Sequence, residues 1–378
     1  MRPERSPAAP DEHLSPRTGA AGERDPAAAD LSPETSPTHL SPETAPTPAD
    51  HLSPETAPTI PRTHAWLALL LLAVGYAALR LTMNREFEGA PWDELLDFSA
   101  AKPFGLRVLI PLLAWPFHTF LRMPAAWVFG LFEALATIAL ALATTAALRS
   151  FMPTRWSTAL GPLFILLLPI PFLLQHRWPV FYPYDTPAMA FTAAGIALLL
   201  RDRWRSAAVL CFLAALNRES AALIPVAALA LHFRPVPKDS PKPPLRQLLL
   251  RTLGLILAVA LARLLVGTIL KNNPGEPLQF FVDTTPRLLA NLAWLESPAH
   301  WLLLPAYLGF IPLAWALLTP TIPTHLRRLG WLALAYIGAL LWVANIDEPR
   351  VYGEAMVLLY LPAAVGLQRW LQPATAPV

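Results

Sequence analysis

AWLALLLLAVGYAALRL, residues 65–81, is a run of seventeen almost wholly apolar residues, and similar runs recur along the chain. About 20 apolar residues cross the hydrocarbon core of a bilayer as a helix. Seven further runs reach or approach this length, at residues 124–148, 157–174, 186–200, 248–270, 301–318, 329–344 and 355–367. The sequence therefore predicts an all-α fold, a polytopic transmembrane helical bundle of about eight spans within residues 63–372.

The first 62 residues have a different composition. The unit LSPET occurs at residues 31–35, 40–44 and 52–56, and His-Leu-Ser-Pro begins at His13, His39 and His51. Frequent proline removes backbone donors and disfavours helix, and few large apolar residues remain to offset chain entropy. We expect residues 1–62 to form a disordered, proline-rich, low-complexity tail. A phosphorylated Ser-Pro tether and an extension without a function of its own both fit this pattern.

The distribution of charge gives the predicted orientation. Only 15% of the chain is charged, against about 25% in soluble domains. Residues 1–60 carry a net −6, so residues 61–378 carry +9, which together give the chain total of +3. Four short connections hold much of this positive charge: Arg149 and Arg155; Arg201, Arg203 and Arg205; Arg234, Lys238, Lys242 and Arg246; His325, Arg327 and Arg328. By the positive-inside rule these connections and the N-terminus lie in the cytoplasm, so the basic pI indicates topology and not a nucleic-acid partner.

Two segments do not read as simple spans. Residues 105–121 are apolar but contain Pro111 and Pro116, so we expect an interfacial or re-entrant helix. A full crossing there is the alternative, and it would invert several loops. Residues 205–233 carry Asn217-Arg218-Glu219 in their middle, which predicts a hairpin with these residues at its tip. The outer side then receives residues 82–105, 175–185, 271–300 and 345–353.

The first outer segment is acidic. Five carboxylates fall within residues 86–97, and Asp93 and Glu94 are adjacent. A carboxylate there could act as a general base towards a hydroxyl group, and paired acids could hold a divalent cation. A solvated acidic loop without chemistry is the alternative.

Charged residues at membrane depth are the second set of candidates. Each costs about 2.5–3.5 kcal/mol on insertion scales and is tolerated when it is paired or lines a wet site. Arg218 at a tight turn is suited to a phosphate, whereas an Arg218–Glu219 pair could be structural. Glu133 and Arg263 fall inside predicted spans, so each should have a partner. Asp185 opens a predicted helix, where it is either an N-cap or a cavity residue.

A late outer segment contains Asp347, Glu348 and Arg350, and Glu354 enters the final apolar run. An acid there should have a partner, for which Arg350 and Arg218 are the candidates. A short salt-bridged connector is the alternative. No familiar hydrolase, zinc-protease or nucleotide-binding motif occurs, and the nine histidines are scattered, so no metal site of histidine ligands is expected.

The layout over residues 64–370 resembles the polytopic glycosyltransferases of the C superfamily, which use polyprenyl-phosphate sugars outside the cytoplasmic membrane. Asp93-Glu94 corresponds to their acidic first outer loop, and residues 105–121, with Arg107, are similar to their interfacial helix. Residues 216–221 are similar to the basic hairpin turns near the lipid phosphate. Residues 347–350, Asp-Glu-Pro-Arg, resemble the late charged loop of bacterial members.

The resemblance implies inverting sugar transfer in a bacterial inner membrane. Asp93 or Glu94 would accept the acceptor's proton, and Arg218 and Arg350 would stabilise the departing lipid phosphate. The remaining predicted substrate-binding residues are Arg107, Asp185, Asn217, Glu219, Asp347 and Glu348. The implied partners are membrane lipid, a polyprenyl-phosphate-linked sugar and an unidentified acceptor, and no cofactor or divalent cation is required. No large C-terminal soluble domain is present, so an oligosaccharyltransferase-like role is not implied.

A transporter or lipid flippase is the competing prediction, because buried charges and broken helices also suit a substrate path.

Overall fold

The computed structural model describes residues 62–174, 179–232, 245–278, 280–282 and 284–372. The predicted disordered tail lies outside these residues apart from residue 62. The described chain is mainly helical, as predicted. Its first eight α-helices are α1 (Arg62–Met83), α2 (Trp92–Leu96), α3 (Leu109–Leu121), α4 (Ala125–Leu148), α5 (Thr154–Leu163), α6 (Pro169–Phe172), α7 (Asp185–Leu200) and α8 (Trp204–Asn217). The next seven are α9 (Leu223–His232), α10 (Leu245–Ile269), α11 (Arg287–Leu295), α12 (Pro298–Tyr307), α13 (Ile311–Leu318), α14 (Thr324–Val343) and α15 (Gly353–Leu371).

Short elements connect these helices. Single 3₁₀ turns occupy Phe104–Leu106, Phe164–Leu167, Glu219–Ala222, Thr319–Thr321 and Pro349–Tyr352. Two short antiparallel strands, β1 (Phe281–Val282) and β2 (Thr285–Pro286), precede α11, with Phe281 opposite Pro286.

Six helical segments of the described chain are long and apolar enough to cross a membrane: Thr63–Met83, Ala125–Leu148, Thr154–Phe172, Leu245–Ile269, Thr324–Val343 and Pro349–Leu371. Large apolar side chains on their outer faces are exposed, such as Leu71 on α1 and Leu264 on α10. Such faces are stable against lipid and unstable against water. The structure therefore has the character of a multi-pass membrane protein.

The other two predicted spans differ from expectation. The run at residues 186–200 forms α7, which has only 16 residues. The run at residues 301–318 is not one helix, because α12 and α13 meet at a bend of 81°. Gly309 and Phe310 at this bend both have positive φ, which ends α12 and redirects the chain. Counting the bent pair as one crossing gives seven candidate spans instead of eight.

Helix α15 forms the centre of the bundle and is almost wholly buried, with α4, α7, α13 and α14 packed around it. Glycine permits two of the closest approaches. Gly353 at the start of α15 lies against Met189 of α7, and Gly195 of α7 lies against Ile224 of α9. In both places a β-carbon would overlap the neighbouring side chain.

The predicted hairpin is present as α8 and α9, which flank Arg218 and the 3₁₀ turn Glu219–Ala222. Asn217 Nδ2 donates to the carbonyl of Tyr184 at 2.9 Å, so the tip lies beside the start of α7. The irregular segment at residues 105–121 becomes a 3₁₀ turn followed by the 13-residue α3, too short to count among the spans.

The helices share two ends. One end, named the site end because the candidate site lies there, is where α1, α8, α10 and α14 finish and where α7, α9 and α15 begin. At the opposite end, Arg201 donates to the carbonyl of Ala146, Arg251 pairs with Asp202, and Phe151 contacts His325. The basic connections within the described chain therefore gather at one end of the bundle.

Candidate functional site

A cavity of about 490 Å³ lies at the site end of the bundle. Its walls come from segments that are far apart in the sequence. Pairing of Arg85 with Val180 joins the chain after α1 to the chain before α7, and Lys102 N donates to the carbonyl of Pro274 at 2.7 Å. These contacts fix the outer segments around the cavity.

Four arginines line the cavity, and each is less than a tenth exposed: Arg107, Arg218, Arg287 and Arg350. Arg107 follows the turn Phe104–Leu106, and Arg218 is an extended residue at the hairpin tip with φ −161°. Arg350 lies in the turn before α15, and Arg287 begins α11. Four separate segments thus bring guanidinium groups to one cavity.

Arg107 pairs with the other charged residue of the hairpin tip. Its NH2 lies 2.6 Å from Glu219 Oε1, and its Nε lies 3.4 Å from Oε2. This two-point contact ties the outer segment before α3 to the tip. Arg107 also lies over the ring of Tyr184, 4.5 Å from its centroid.

Two buried carboxylates lie behind Arg218. Its NH1 is 3.1 Å from Asp185 Oδ1 and 3.5 Å from Glu354 Oε1. Glu354 also accepts a hydrogen bond from Ser220, so the start of α15 is joined to the hairpin tip. The predicted partner of Glu354 is therefore found, and it is Arg218.

A second buried ion pair lies deeper. Arg80 NH1 is 2.6 Å from Glu133 Oε1, and Arg80 NH2 is 3.5 Å from Asp185 Oδ2. Phe172 and Phe181 lie at 4.2 and 4.8 Å from the guanidinium carbon of Arg80. The prediction that Glu133 has a partner is confirmed. Arg263 has partners too, because it donates to the carbonyls of Leu106 and Ala215.

Helix α11 holds the late loop, residues 344–348, in place. Asn291 donates to the carbonyls of Leu341 and Ala344 and accepts from the amide of Ile346. Arg287 donates to Asn345, whose Nδ2 donates in turn to Glu348 at 2.6 Å. The loop is thereby held over the cavity.

Glu348 pairs with Arg350, since Arg350 NH2 lies 2.6 Å from Glu348 Oε2. Burial raises the pKa of Glu348, but Arg350 and the hydrogen bond from Asn345 lower it more, so its pKa lies below the ordinary value. Burial likewise raises the pKa of Glu219, while Arg107 and Arg218 bring it down to about 2. Both carboxylates are therefore ionised at neutral pH.

Aromatic rings form one wall of the cavity. Phe104 stacks on Tyr182 with centroids 5.5 Å apart, and Phe87 contacts both rings. Arg350 lies 3.8 Å from the centroid of the Tyr182 ring. An aliphatic wall comes from α9 and α14: Leu223, Val226, Leu340 and Val343.

The structure separates the predicted site residues into three groups. Arg107, Arg218, Glu219, Glu348 and Arg350 line the cavity. Asp185 and Asn217 are buried beneath it, and Asp347 is half-buried in the late loop without lining it. Asp93 and Glu94 are exposed on α2 and do not line it.

Sequence reasoning missed several residues of the site. Arg80 was visible as a charge inside the first apolar run, and its burial between phenyl rings explains why it is there. Arg287 gave no comparable signal, because it lies in an ordinary polar segment and reaches the cavity only through the fold. Phe87 and Phe104 likewise looked like unexceptional residues of an outer segment.

No group of three His, Cys, Asp or Glu side chains in the described part of the chain is arranged to hold a metal ion. No protein-family model matches the sequence, and no curated protein matches it.

Proposed function

We propose that this chain is an integral membrane glycosyltransferase that transfers a sugar from a polyprenyl phosphate to an acceptor hydroxyl group. The observation that carries the proposal is the cavity itself, whose lining combines four arginines with an aliphatic wall. A lipid phosphate has the same two parts, an anionic head and an apolar chain.

The cavity lining has a net positive charge. Four arginines and two carboxylates, Glu219 and Glu348, line the cavity, a net charge of +2, while Asp185 and Glu354 lie behind the arginines at 1% and 0% exposure. This balance favours an anionic group in the cavity. The planar guanidinium fork matches phosphate oxygens, and burial strengthens the interaction.

The aliphatic wall indicates where the lipid chain leaves. Leu223 and Val226 of α9 line the cavity together with Leu340 and Val343 of α14. Val226 and Val343 are also 44% and 37% exposed, so this wall continues to the outside of the bundle. The first isoprene units would leave between α9 and α14 towards the lipid.

In the proposed reaction the acceptor oxygen attacks C1 of the sugar, and the bond from C1 to the phosphate oxygen breaks. The bonding electrons pass to the lipid phosphate, whose negative charge Arg218 and Arg350 stabilise. A carboxylate takes the proton of the acceptor hydroxyl. Attack on the face opposite the phosphate inverts the configuration at C1.

The proton acceptor in this proposal is Glu219 or Glu348, because these carboxylates line the cavity and Asp93 and Glu94 do not. Both are ionised at neutral pH, but their lowered pKa values make them weak bases. Most of the rate enhancement therefore comes from stabilisation of the phosphate and from holding the reactants together.

The proposed orientation places the cavity outside a bacterial cytoplasmic membrane. The opposite end of the bundle carries the basic connections, including Arg149, Arg201 and Arg327. By the positive-inside rule that end is cytoplasmic, as is the N-terminus.

The test uses the full chain in lipid nanodiscs with farnesyl-phosphoryl glucose and farnesyl-phosphoryl mannose as probes. With water as acceptor, release of free sugar measures cleavage of the bond from C1 to phosphate. We expect Arg218→Gln and Arg350→Gln to lower release about 100-fold, in the range found for loss of one transition-state donor. Arg85→Gln is the matched control, because Arg85 is an exposed arginine at the same end of the bundle. Equal rates in all four proteins, or no release above the empty nanodisc, would contradict the proposal.

A transporter is the second candidate, because the α12–α13 bend and the buried ion pairs are features that transporters share. Proteoliposomes with a fluorescent polyprenyl phosphate distinguish the two. Movement of the label across the bilayer without sugar release would favour transport.

A further inference from the structure

Asp185 is buried beneath the cavity, yet it touches two of the cavity's arginines. It begins α7, is 1% exposed and is not part of the cavity wall. Its Oδ1 lies 3.1 Å from Arg218 NH1 and 3.8 Å from Arg350 NH1. One carboxylate oxygen thus lies between guanidinium groups from the hairpin tip and from the turn before α15.

This arrangement brings two like charges together. Both NH1 atoms lie near the same oxygen, so they are at most about 7 Å apart, where unscreened cations repel strongly inside a protein. Of these two arginines, Glu354 pairs with Arg218 and Glu348 pairs with Arg350 in the described chain. Among the described residues, Asp185 is the carboxylate whose ion pairs include both.

Asp185 is itself held from the opposite side. Arg80 NH2 lies 3.5 Å from Asp185 Oδ2. Arg80 is fully buried and is fixed by Glu133 and by the hydroxyl of Thr186. The carboxylate also lies in the first turn of α7, where the helix dipole favours negative charge. It therefore has a fixed place from which to orient the two arginines.

We propose that Asp185 is the positioning residue of the anion site, which holds Arg218 and Arg350 together so that one phosphate group meets both. The inference rests on the phosphate recognition in the proposed function and does not depend on sugar transfer. Asp185 itself makes no contact with the ligand.

A positioning role for Asp185 predicts that Asp185→Asn weakens the binding of an anion. Removing a negative charge close to an anion site would by itself strengthen the binding of an anion. Asp185→Asn also leaves two cations to repel each other, so we expect them to separate and the phosphate to lose one guanidinium contact. Weaker binding of phosphate by a folded variant therefore indicates the lost arrangement and not the change in charge.

The experiment measures binding of farnesyl phosphate to the full chain in nanodiscs by calorimetry, with farnesol as the neutral probe. We expect Asp185→Asn to weaken farnesyl phosphate binding about tenfold, the effect of one charge-assisted contact, and to leave farnesol binding unchanged. Asp202→Asn is the matched control. It makes the same substitution in an ion pair, with Arg251, at the opposite end of the bundle. Thermal unfolding of each variant separates affinity from stability.

Equal weakening in Asp202→Asn would mean a general effect of the lost charge and would overturn the inference. Unchanged or tighter binding by Asp185→Asn would overturn it while leaving the proposed function intact. Absence of farnesyl phosphate binding by the unmodified chain would overturn both. If Asp185→Asn does not fold, Asp185→Ser replaces it, since a small hydroxyl side chain suits the start of a helix and also removes the charge between Arg218 and Arg350. Weaker phosphate binding there supports the inference, and unchanged binding overturns it.

Discussion

Arg80 NH1 lies 2.6 Å from Glu133 Oε1, and neither side chain is exposed. The pair joins α1 to α4, and Arg80 also reaches Asp185 of α7, so one guanidinium connects three helices. Thr186 donates to the same Glu133 oxygen at 2.6 Å. Such a pair fixes the relative position of helices more than it adds to their net stability.

Removing one partner of the Arg80–Glu133 pair should lower the free energy of unfolding. We expect Glu133→Met to lower the free energy of unfolding by about 3–5 kcal/mol, because it leaves Arg80 buried with less compensation. The double variant Arg80→Met, Glu133→Met should recover a large part of that loss, since two apolar side chains replace two buried charges. Thermal unfolding in detergent measures both variants. A double variant less stable than Glu133→Met would contradict this reading of the pair.

Two helix glycines give opposite expectations for the same substitution. A β-carbon on Gly161 of α5 would lie 2.9 Å from the Cα of Thr145 in α4, so Gly161→Ala should cost about 1–3 kcal/mol through overpacking. A β-carbon on Gly254 of α10 meets no atom of the described chain within 4 Å, so Gly254→Ala should stabilise α10 by up to about 1 kcal/mol. Unfolding temperatures of the two variants should move in opposite directions. A Gly161→Ala variant as stable as the unmodified chain would show that α4 and α5 do not pack this closely.

The parts of the fold that follow from hydropathy were predictable. Six apolar runs are spans by length, and the charges at residues 217–219 correctly predicted the hairpin tip. The bend at Gly309 and Phe310 was not predictable, because an apolar run has the same hydropathy whether or not its backbone is continuous. The break depends on local backbone angles that composition does not encode.

The candidate site was predictable only at charged residues that fall inside apolar runs. A charge inside an apolar run must have a partner, and this argument correctly marked Arg218, Glu133 and Glu354. The density of acids around Asp93 predicts exposure and says nothing about distance to a cavity. Arg287 reaches the cavity through the hairpin of β1 and β2, a tertiary arrangement without a sequence signal.

Variants of the carboxylates test whether the proton acceptor lies on the cavity wall or on α2. We expect Glu219→Gln or Glu348→Gln to lower the release of sugar from farnesyl-phosphoryl donors, because each removes a proton acceptor from the cavity wall. The double variant Asp93→Asn, Glu94→Gln should release sugar at close to the rate of the unmodified chain, since both residues are exposed on α2. A large loss in the α2 variant alone would return the base to the acidic outer segment.

The stability contributed by the Glu348–Arg350 pair should depend on pH. The pKa of Glu348 is lower in the folded chain than its ordinary value of 4.5, so the pair stabilises the fold at pH values above that ordinary value. The contribution is lost as pH falls through the lowered pKa of the folded state. Glu348→Gln lacks this contribution. The difference in unfolding temperature between the two proteins should therefore be largest near pH 7 and shrink below about pH 4. A difference independent of pH would show that the carboxylate is not held in its charged form.

Labelling of single cysteines tests the proposed orientation. The native thiol, Cys211, is fully buried in α8, so Cys211→Ala removes it at little cost and provides a background. Glu88 follows α1 at the site end, and Ser150 follows α4 at the opposite end, and both are exposed. We expect a membrane-impermeant maleimide added to intact cells to label Glu88→Cys and not Ser150→Cys. Ser150→Cys should react only after the cells are opened, because the arginines beside it retain that end in the cytoplasm. The reverse pattern would place the cavity on the cytoplasmic side, where water-soluble nucleotide sugars are within reach, and a lipid-linked donor would no longer be required.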